Sequence, residues 1–494
     1  MTSPDQVLRA LVEEEQEAQP EKMKATGAKA LVEIVERSGV TLFVDDRAEA
    51  YAAIPLPTGG QEVRRVNYRY FKSWMISRYM EETGGEVIGR EACANAVGII
   101  EAKALQGGHR RSLSERFART DDGAIWIDLG DERWRGIRVT PSGWTVEAQT
   151  PILFRRDEHV AALPDPAGGG DLFDLFGFLN VDDKGDRLLV VAWLVAAVFG
   201  DLPRPILLFK GVKGSTKTTA ARVLRSLLDP SATEVLRPPR TEDELVHHLG
   251  KHAVPTYDNL SSVADWLSDA FCRAVTGAAS EKRRLYTDGE SVLVRFRRPI
   301  ILTGINTPSV APDLLDRTIL LELEAVTAEH RREEGEFWPA FNQARPMLFG
   351  ALLDTLVATL QRMPGLQLPR LPRMADFTRI GAAVAEALGH GAPAFLAAYE
   401  RIAGRQTAEV LDSDPVAIAL RDFMKMRTEW EGKTGELFKA LRPEERNGEF
   451  PKTAAWLGRR LNVLRPSLAE VGLAVEPVDD LPDHGRGWRV RRAS

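Results

Sequence analysis

The clearest chemistry in the chain lies in the run Gly211-Val212-Lys213-Gly214-Ser215-Thr216-Lys217-Thr218-Thr219. Glycines, hydroxyls and a lysine at this spacing suit the oxygens of a polyphosphate. Gly211 and Gly214 let backbone N–H groups turn inward around phosphate, and Ser215, Thr216 and Thr219 complete the cradle. Lys217 would reach the β- and γ-phosphates of ATP, and the Thr218 hydroxyl would sit on Mg²⁺. One position departs from the pattern G-x-x-x-x-G-K-[ST], which asks for Gly at 216 where this chain has Thr. A side chain there narrows the loop or alters nucleotide affinity. The competing reading is a lysine-bearing surface turn.

A phosphate loop alone does not separate kinases, transporters and motors. His252–Asn259 is a short apolar segment ending in an acid, the place for a strand whose Asp258 holds Mg²⁺ through water. The next residue is often Glu in such ATPases; here it is Asn259, which cannot take a proton. Either Asp265 or Asp269 then serves as base, or hydrolysis is slow. Ile300–Pro308 is a second apolar strand with Asn306 at its tip, where an amide can bond the γ-phosphate or the attacking water. Arg317 precedes the apolar run Thr318–Leu321, a placement that suits an arginine finger reaching a neighbour's γ-phosphate. Its alternative is an ion pair with Asp313 or Asp316.

These residues need elements to hold them. Ile206–Phe209 reads as a buried strand and Ala220–Leu228 as a helix, so the glycine loop has strand before it and helix after it. Downstream of the Pro164–Gly170 linker, long apolar helices alternate with short apolar strands, the pattern of a parallel sheet. Leu188–Phe199 is too short to cross a bilayer and reads as a buried core helix. Upstream, Val40–Val44 and Tyr51–Ile54 read as a hairpin, followed by one helical stretch over 67–104. That stretch carries Tyr68, Tyr70, Phe71, Trp74 and Tyr79. They could stack on bases, but at helical spacing they read as core. Strands are expected over 124–129, 136–139 and 144–147. Length and composition agree with a soluble multidomain protein: 494 residues, 44% hydrophobic, 28% charged, net charge −6. Any nucleic-acid contact must therefore come from local basic patches. Two cysteines exclude a disulfide framework, no Cys/His cluster has metal-ligand spacing, and no secretory signal opens the chain.

The order of phosphate loop, Asp258-Asn259, apolar strand with Asn306-Thr307-Pro308, then Asp316-Arg317 resembles the AAA+ ATPases of the superfamily 3 helicase type. The runs at 257–261, 285–288 and 312–317 are similar to those of ATP-binding proteins of bacterial prophages and integrative elements. The resemblance is strong over about residues 170–400. It implies ATP and Mg²⁺ at Lys217, Thr218 and Asp258, Asn306 as a sensor, and Arg317 as a finger supplied in trans. It also implies a homo-oligomeric ring, a hexamer, that unwinds or translocates single-stranded or forked DNA during replication of a phage or mobile element. No primase acidic triad appears near the N-terminus.

Between Asp258-Asn259 and Asn306 lies the segment 281–298, with six basic and three acidic residues. Asp288-Gly289 marks a hairpin turn. In the resembling helicases a hairpin here grips the strand backbone, which makes Lys282, Arg283 and Arg284 the candidates. At the C-terminus, helices and two strands over 471–477 and 487–491 read as a winged helix. Its helix 452–464 would read DNA through Lys452, Arg459 and Arg460, and Arg486, Arg489, Arg491 and Arg492 would hold phosphates. The expectation is thus a multidomain α/β protein: an N-terminal mixed α+β domain (1–155), a linker (156–171), a P-loop AAA+ ATPase core with a parallel sheet (172–400), and a C-terminal winged helix (401–494). It is expected in the cytoplasm, with no membrane contact. Two rivals are a slow ATP-gated DNA-binding initiator, regulator or defence protein, and a DNA-binding scaffold without enzymatic activity.

Overall fold

The charged start of the chain leads into helix α1 (residues 27–37). The structure, a computed structural model, describes residues 27–277, 279–283, 291–304, 312–327, 329, 331–368, 371–372, 374–442, 450–481 and 485–492. The expected hairpin is the first half of a three-stranded antiparallel sheet, β1 (Thr41–Val44), β2 (Ala50–Pro55) and β3 (Gln61–Arg65). The single helical stretch is two helices, α2 (Arg69–Thr83) and α3 (Arg90–Gln106), because Gly84 and Gly85 end α2 with φ of +73° and +102°. A second antiparallel sheet follows: β4 (Phe117–Arg119), β5 (Ile125–Asp128), β6 (Gly136–Thr140) and β7 (Gly143–Glu147).

The Pro/Gly segment after it is pinned along its length. Leu163 N–H donates to Leu129 O (2.8 Å) and Ala167 N–H to Pro346 O (3.0 Å). Gly350 permits that approach, since a Cβ there would lie 1.8 Å from Ala167 O. One apolar cluster runs from Ile125, Ile127 and Val139 through the helices and strands downstream. Ion pairing joins the two parts as well, with buried Arg116 3.2 Å from buried Asp229.

Helix α4 (Lys184–Val198) is apolar all round and buried from Leu188 to its end, so no face of it is left for water. Asp183 caps its start by accepting Asp186 N–H at 2.9 Å. Among the described residues no helix is long and apolar enough to cross a membrane. Then come β8 (Ile206–Lys210), α5 (Lys217–Leu228), α6 (Glu242–Leu249), β9 (Thr256–Leu260), α7 (Asp265–Thr276), β10 (Ala279–Arg283), β11 (Ser291–Arg295), β12 (Ile301–Gly304), α8 (Pro312–Leu315) and β13 (Thr318–Glu322). Strands β13, β8, β12 and β9 form, in that order, a parallel four-stranded sheet. Its Ile, Leu and Phe residues are buried, as expected of a sheet with helices on both faces. The protein is thus a multidomain α/β fold with a parallel sheet. Strand β12 sits between the strand that feeds the glycine loop and the strand that carries Asp258.

Helices α9 (Glu334–Arg362), α10 (Ala375–Ala387) and α11 (Ala392–Ser413) pack around α4 and lead to the C-terminal unit. There α12 (Pro415–Met424), β14 (Glu429–Lys433), α13 (Thr434–Leu441), α14 (Ala454–Glu470), β15 (Leu473–Leu481) and β16 (Gly485–Arg492) follow. By its sequence Trp430-Glu431-Gly432-Lys433-Thr434 reads as a turn, but residues 430–433 belong to strand β14. It pairs with β16, so the sheet has three strands in the order β14-β16-β15. By sequence Ala455, Leu457, Leu461 and Leu464 read as the apolar face of α14; Ala455 is exposed, and the buried stripe is Leu457, Leu461, Leu464 and Leu468.

Candidate functional site

Strand β8 ends at Lys210 and the chain turns through Gly211–Thr216 into α5. The turn is built around its glycines. A Cβ on Gly211 would lie 2.3 Å from Leu323 O and 2.6 Å from Ser215 Oγ, so no side chain fits. Gly214 has φ +86°. Thr216 caps α5 with φ +62° and ψ 24°, which explains why the motif asks for Gly at that position. A left-handed non-glycine residue costs about 1–2 kcal/mol. The loop is held from the far side by the segment after β13: Leu323 N–H donates to Lys210 O (2.7 Å) and Val326 N–H to Gly214 O (3.3 Å). The first-turn amides of α5, including those of Lys217, Thr218 and Thr219, have no partner within the helix and point toward an anion-binding end.

The Lys217 amine folds back over the loop and donates to Gly211 O and Val212 O, both at 2.8 Å, and to Ser215 Oγ at 3.3 Å. Burial lowers its pKa from the ordinary lysine value, opposed by Asp258. Thr218 Oγ1 donates to Asp258 Oδ1 at 2.8 Å. The same carboxylate oxygen accepts the Thr303 hydroxyl from β12. Thr303 Oγ1 also accepts Asn259 N–H at 3.0 Å. The β12–β9 register shifts here, with Leu302 opposite Tyr257 and Gly304 opposite Leu260. Two residues, Asp258 and Asn259, thus face the single Thr303, which is a β-bulge. Asn259 absorbs the extra residue with φ +61°. The bulge turns Asp258 toward Thr218. A carboxylate beside two hydroxyls is a set of hard oxygen donors, the kind that holds Mg²⁺ together with phosphate and water.

Arg317 is elsewhere. Its backbone carbonyl accepts Ile206 N–H at 2.8 Å, at the start of β8. The glycine loop leaves the end of that strand, about 16 Å away at the usual rise per residue. Its guanidinium donates to Asp313 O at 2.5 Å and stands 3.9 Å from Asp313 Oδ1. The structure therefore brings Lys217, Thr218, Asp258 and Asn259 together and leaves Arg317 at the opposite end of the parallel strands. Asn306 lies outside the described residues.

The hairpin is present as β10 paired antiparallel with β11, Arg283 opposite Ser291. Lys282 and Arg283 fall on β10, with side chains outside the described set, and Arg284 lies outside it entirely. In the C-terminal unit, Lys452 precedes α14 and Arg459 lies on it, both exposed. Arg460 is committed to its own fold, donating to Asp414 Oδ2 at 2.6 Å, and Asp414 caps α12 by accepting Val416 N–H (2.8 Å) and Ala417 N–H (2.9 Å). Arg489 is bonded across the sheet to Glu431, and Arg491 to Glu429 at 2.7 Å. The Arg486 side chain is outside the described set.

Comparison with known proteins adds family context. Residues 172–403 match the family described as actinomycete integrative conjugative element replication protein. Residues 416–494 match the AICE RepA C-terminal domain. By both matches, the chain resembles a conjugative-element replication protein. Neither match reaches the residues before 172. No curated protein matches the chain. Among solved structures, the A form apo structure of the NrS-1 C-terminal region is 13% identical, covers 94% of this chain and 99% of its own, and has a TM-score of 0.44. A second apo structure of that region is 12% identical, covers 94% and 98%, and has a TM-score of 0.43. A JCV helicase structure is 12% identical, covers 44% and 59%, and has a TM-score of 0.25.

Two residues inside the 172–403 match are added to the site by the structure. Thr303 is buried and bridges Asp258 to Asn259. Its only sequence signal was its place near the end of an apolar strand. Arg331 brings a second cation, since a Cβ built on Gly214 would lie 3.9 Å from its Nη2. Its signal was the basic run His330-Arg331-Arg332, more than a hundred residues beyond the loop in sequence.

Proposed function

We propose that this protein is an ATP-hydrolysing DNA helicase or translocase of the AAA+ superfamily 3 type, working as a homo-hexameric ring in the cytoplasm to replicate its mobile element. The observation that carries the reading is the 2.8 Å bond between Thr218 at the start of α5 and Asp258 on β9, beside Lys217. The match of residues 172–403 to a replication-protein family supports the setting. In this reading the organisation is an N-terminal domain (1–155), a linker (156–171), an ATPase (172–400) and a winged-helix unit (401–494).

Each residue then has a task. Backbone N–H groups from Gly211 to Thr219 cradle the ATP phosphates, with the Ser215 and Thr216 side chains turned back onto the loop. Lys217 exchanges its loop carbonyls for the β- and γ-phosphate oxygens. Thr218 and Asp258 hold Mg²⁺, which when bound neutralises charge on those phosphates. Asn306 orients the γ-phosphate or the attacking water. Arg317, too far from its own site, serves the neighbouring subunit's. Lys282, Arg283 and Arg284 track the DNA backbone, and Lys452, Arg459 and Arg486 of the C-terminal unit add phosphate contacts. Arg460 and Arg489 support that surface through Asp414 and Glu431.

The second reading, a slow ATP-gated initiator, is favoured by Asn259, which has no proton-accepting group where a base is expected. Steady-state ATP hydrolysis with and without single-stranded DNA separates the two. Helicase or translocase action expects turnover that DNA accelerates and that Lys217→Ala abolishes. Tight ATP binding with negligible turnover in both conditions would transfer the conclusion to the initiator, and undiminished turnover in Lys217→Ala would remove the site assignment.

A further inference from the structure

The N-terminal part, which neither family match reaches, carries the aromatic rings of a surface that Lys251 completes. Tyr68 is the residue before α2 and Tyr70 lies in its first turn. They are 46% and 56% exposed, whereas Phe71 and Met75 are fully buried. The spacing that placed all the aromatics of this stretch in the core holds for the 71/75 face and fails for the two tyrosines at the helix start. Each exposed ring has an arginine on one face. The Arg65 guanidinium lies 4.7 Å from the Tyr68 centroid and donates to its hydroxyl at 2.9 Å, and the Arg64 guanidinium lies 4.3 Å from the Tyr70 centroid. Arg64 is steadied from behind by Trp134, whose centroid is 5.2 Å away.

Both tyrosines line one cavity of about 480 Å³, together with Arg69, Lys251 and His159. Its walls hold five arginines and one lysine against Asp157 and Glu158. Four of the arginines are paired, Arg64 with Glu62, Arg65 with Glu49, Arg155 with Asp45 and Arg156 with Asp128, and Lys251 stands 4.0 Å from Asp157 Oδ1. His159 keeps both ring nitrogens buried and without a hydrogen-bond partner. The volume falls within the range of about 300–1,000 Å³ that encloses a small organic group, and an unstacked base is such a group.

We propose that this surface binds single-stranded DNA, with bases stacked on the open faces of Tyr68 and Tyr70 and backbone phosphates on Arg69 and Lys251. Exposed aromatic rings set in a cationic groove hold single strands without sequence preference, because every base has a π-face. A duplex keeps its bases stacked on one another and has none to offer. The inference rests on the reading of the protein as DNA-binding, and not on its ATP site.

The test is fluorescence anisotropy of a labelled oligothymidine with the full chain in the absence of nucleotide. The double variant Tyr68→Ala/Tyr70→Ala is expected to bind at least about 30-fold more weakly, the low end for losing two base-stacking rings. Tyr68→Phe/Tyr70→Phe keeps the rings and is expected to bind as the unsubstituted protein does. Arg69→Gln is expected to lower the salt slope by about 0.7, one phosphate's share. An abasic oligonucleotide should bind the unsubstituted protein as weakly as oligothymidine binds the alanine pair. Full affinity of a folded alanine pair, judged by an unchanged melting midpoint, overturns the inference, and so does equal binding of the abasic strand. If the unsubstituted protein binds no DNA at all, the DNA-binding reading itself has failed.

Discussion

Replacing Thr303 by valine keeps the shape of a buried side chain and removes one hydroxyl. That hydroxyl donates to Asp258 Oδ1 and accepts Asn259 N–H at 3.0 Å. A hydrogen bond to a charged group contributes about 1.5–3 kcal/mol, and an orphaned amide costs about 1–3 kcal/mol. Asp258 and Asn259 are both partly open to water, which can replace some of each bond, so the expected loss is about 2–3 kcal/mol. Thr303→Ser keeps the hydroxyl and gives up one methyl, about 0.8 kcal/mol plus a small cavity. In a unit of this size each kcal/mol moves the melting midpoint by about 2–4 °C. Calorimetry should therefore show the valine variant about 4–12 °C below the parent and the serine variant only a few degrees below. The same hydroxyl holds Asp258 toward Thr218, so the valine variant should also need more Mg²⁺ for half-maximal ATP turnover, and the serine variant should not. A valine variant that melts with the parent, or a serine variant that costs more than valine, would refute the bridging role of Thr303.

Two further perturbations test the frame around the site. Thr216→Gly relieves a left-handed threonine worth about 1–2 kcal/mol and adds about 0.5–1 kcal/mol of chain entropy in the unfolded state, so the melting midpoint should rise slightly. A clear fall would mean that the Thr216 hydroxyl bond to Ser215 O, 2.7 Å long, outweighs the strain. Burial, with the Arg225 guanidinium 2.8 Å from Nδ1, pushes His252 down to about 2 from its ordinary 6.5. The unfolded chain takes up a proton below about pH 6.5 and the folded chain does not. Stability from this residue is therefore complete above that pH and is lost on acidification, at about 1.4 kcal/mol per pH unit. Burial lowers His159 and His248 in the same direction. Denaturant midpoints measured from about pH 7 to about pH 5 should fall, and His252→Gln should reduce the slope; an unchanged slope would show that His252 is protonated in the fold.

The parts of the site that were legible in sequence are those where local backbone geometry dictates residue type. Gly211 and Gly214 announce a loop because a Cβ is excluded at one and φ is positive at the other. The flanking apolar run and helix are set by the same few residues. What was not legible depends on partners distant in sequence. Strand β14 reads as a turn until β16, more than fifty residues later, supplies its ladder. Arg460 and Arg489 read as free cations until Asp414 and Glu431 are seen to hold them. Asn259 is the instructive case. From sequence it is a missing base, judged only by its inability to take a proton. In the fold it is the left-handed residue of a bulge, and asparagine is one of the few non-glycine residues that adopts that conformation at low cost. A glutamate there would either take the strain or flatten the bulge, and flattening would swing Asp258 away from Thr218 and unmake the Asn259–Thr303 bond. The residue that leaves the base in question is thus the residue that lets the bulge aim Asp258 at Thr218, so its chemistry and its conformation cannot be exchanged independently.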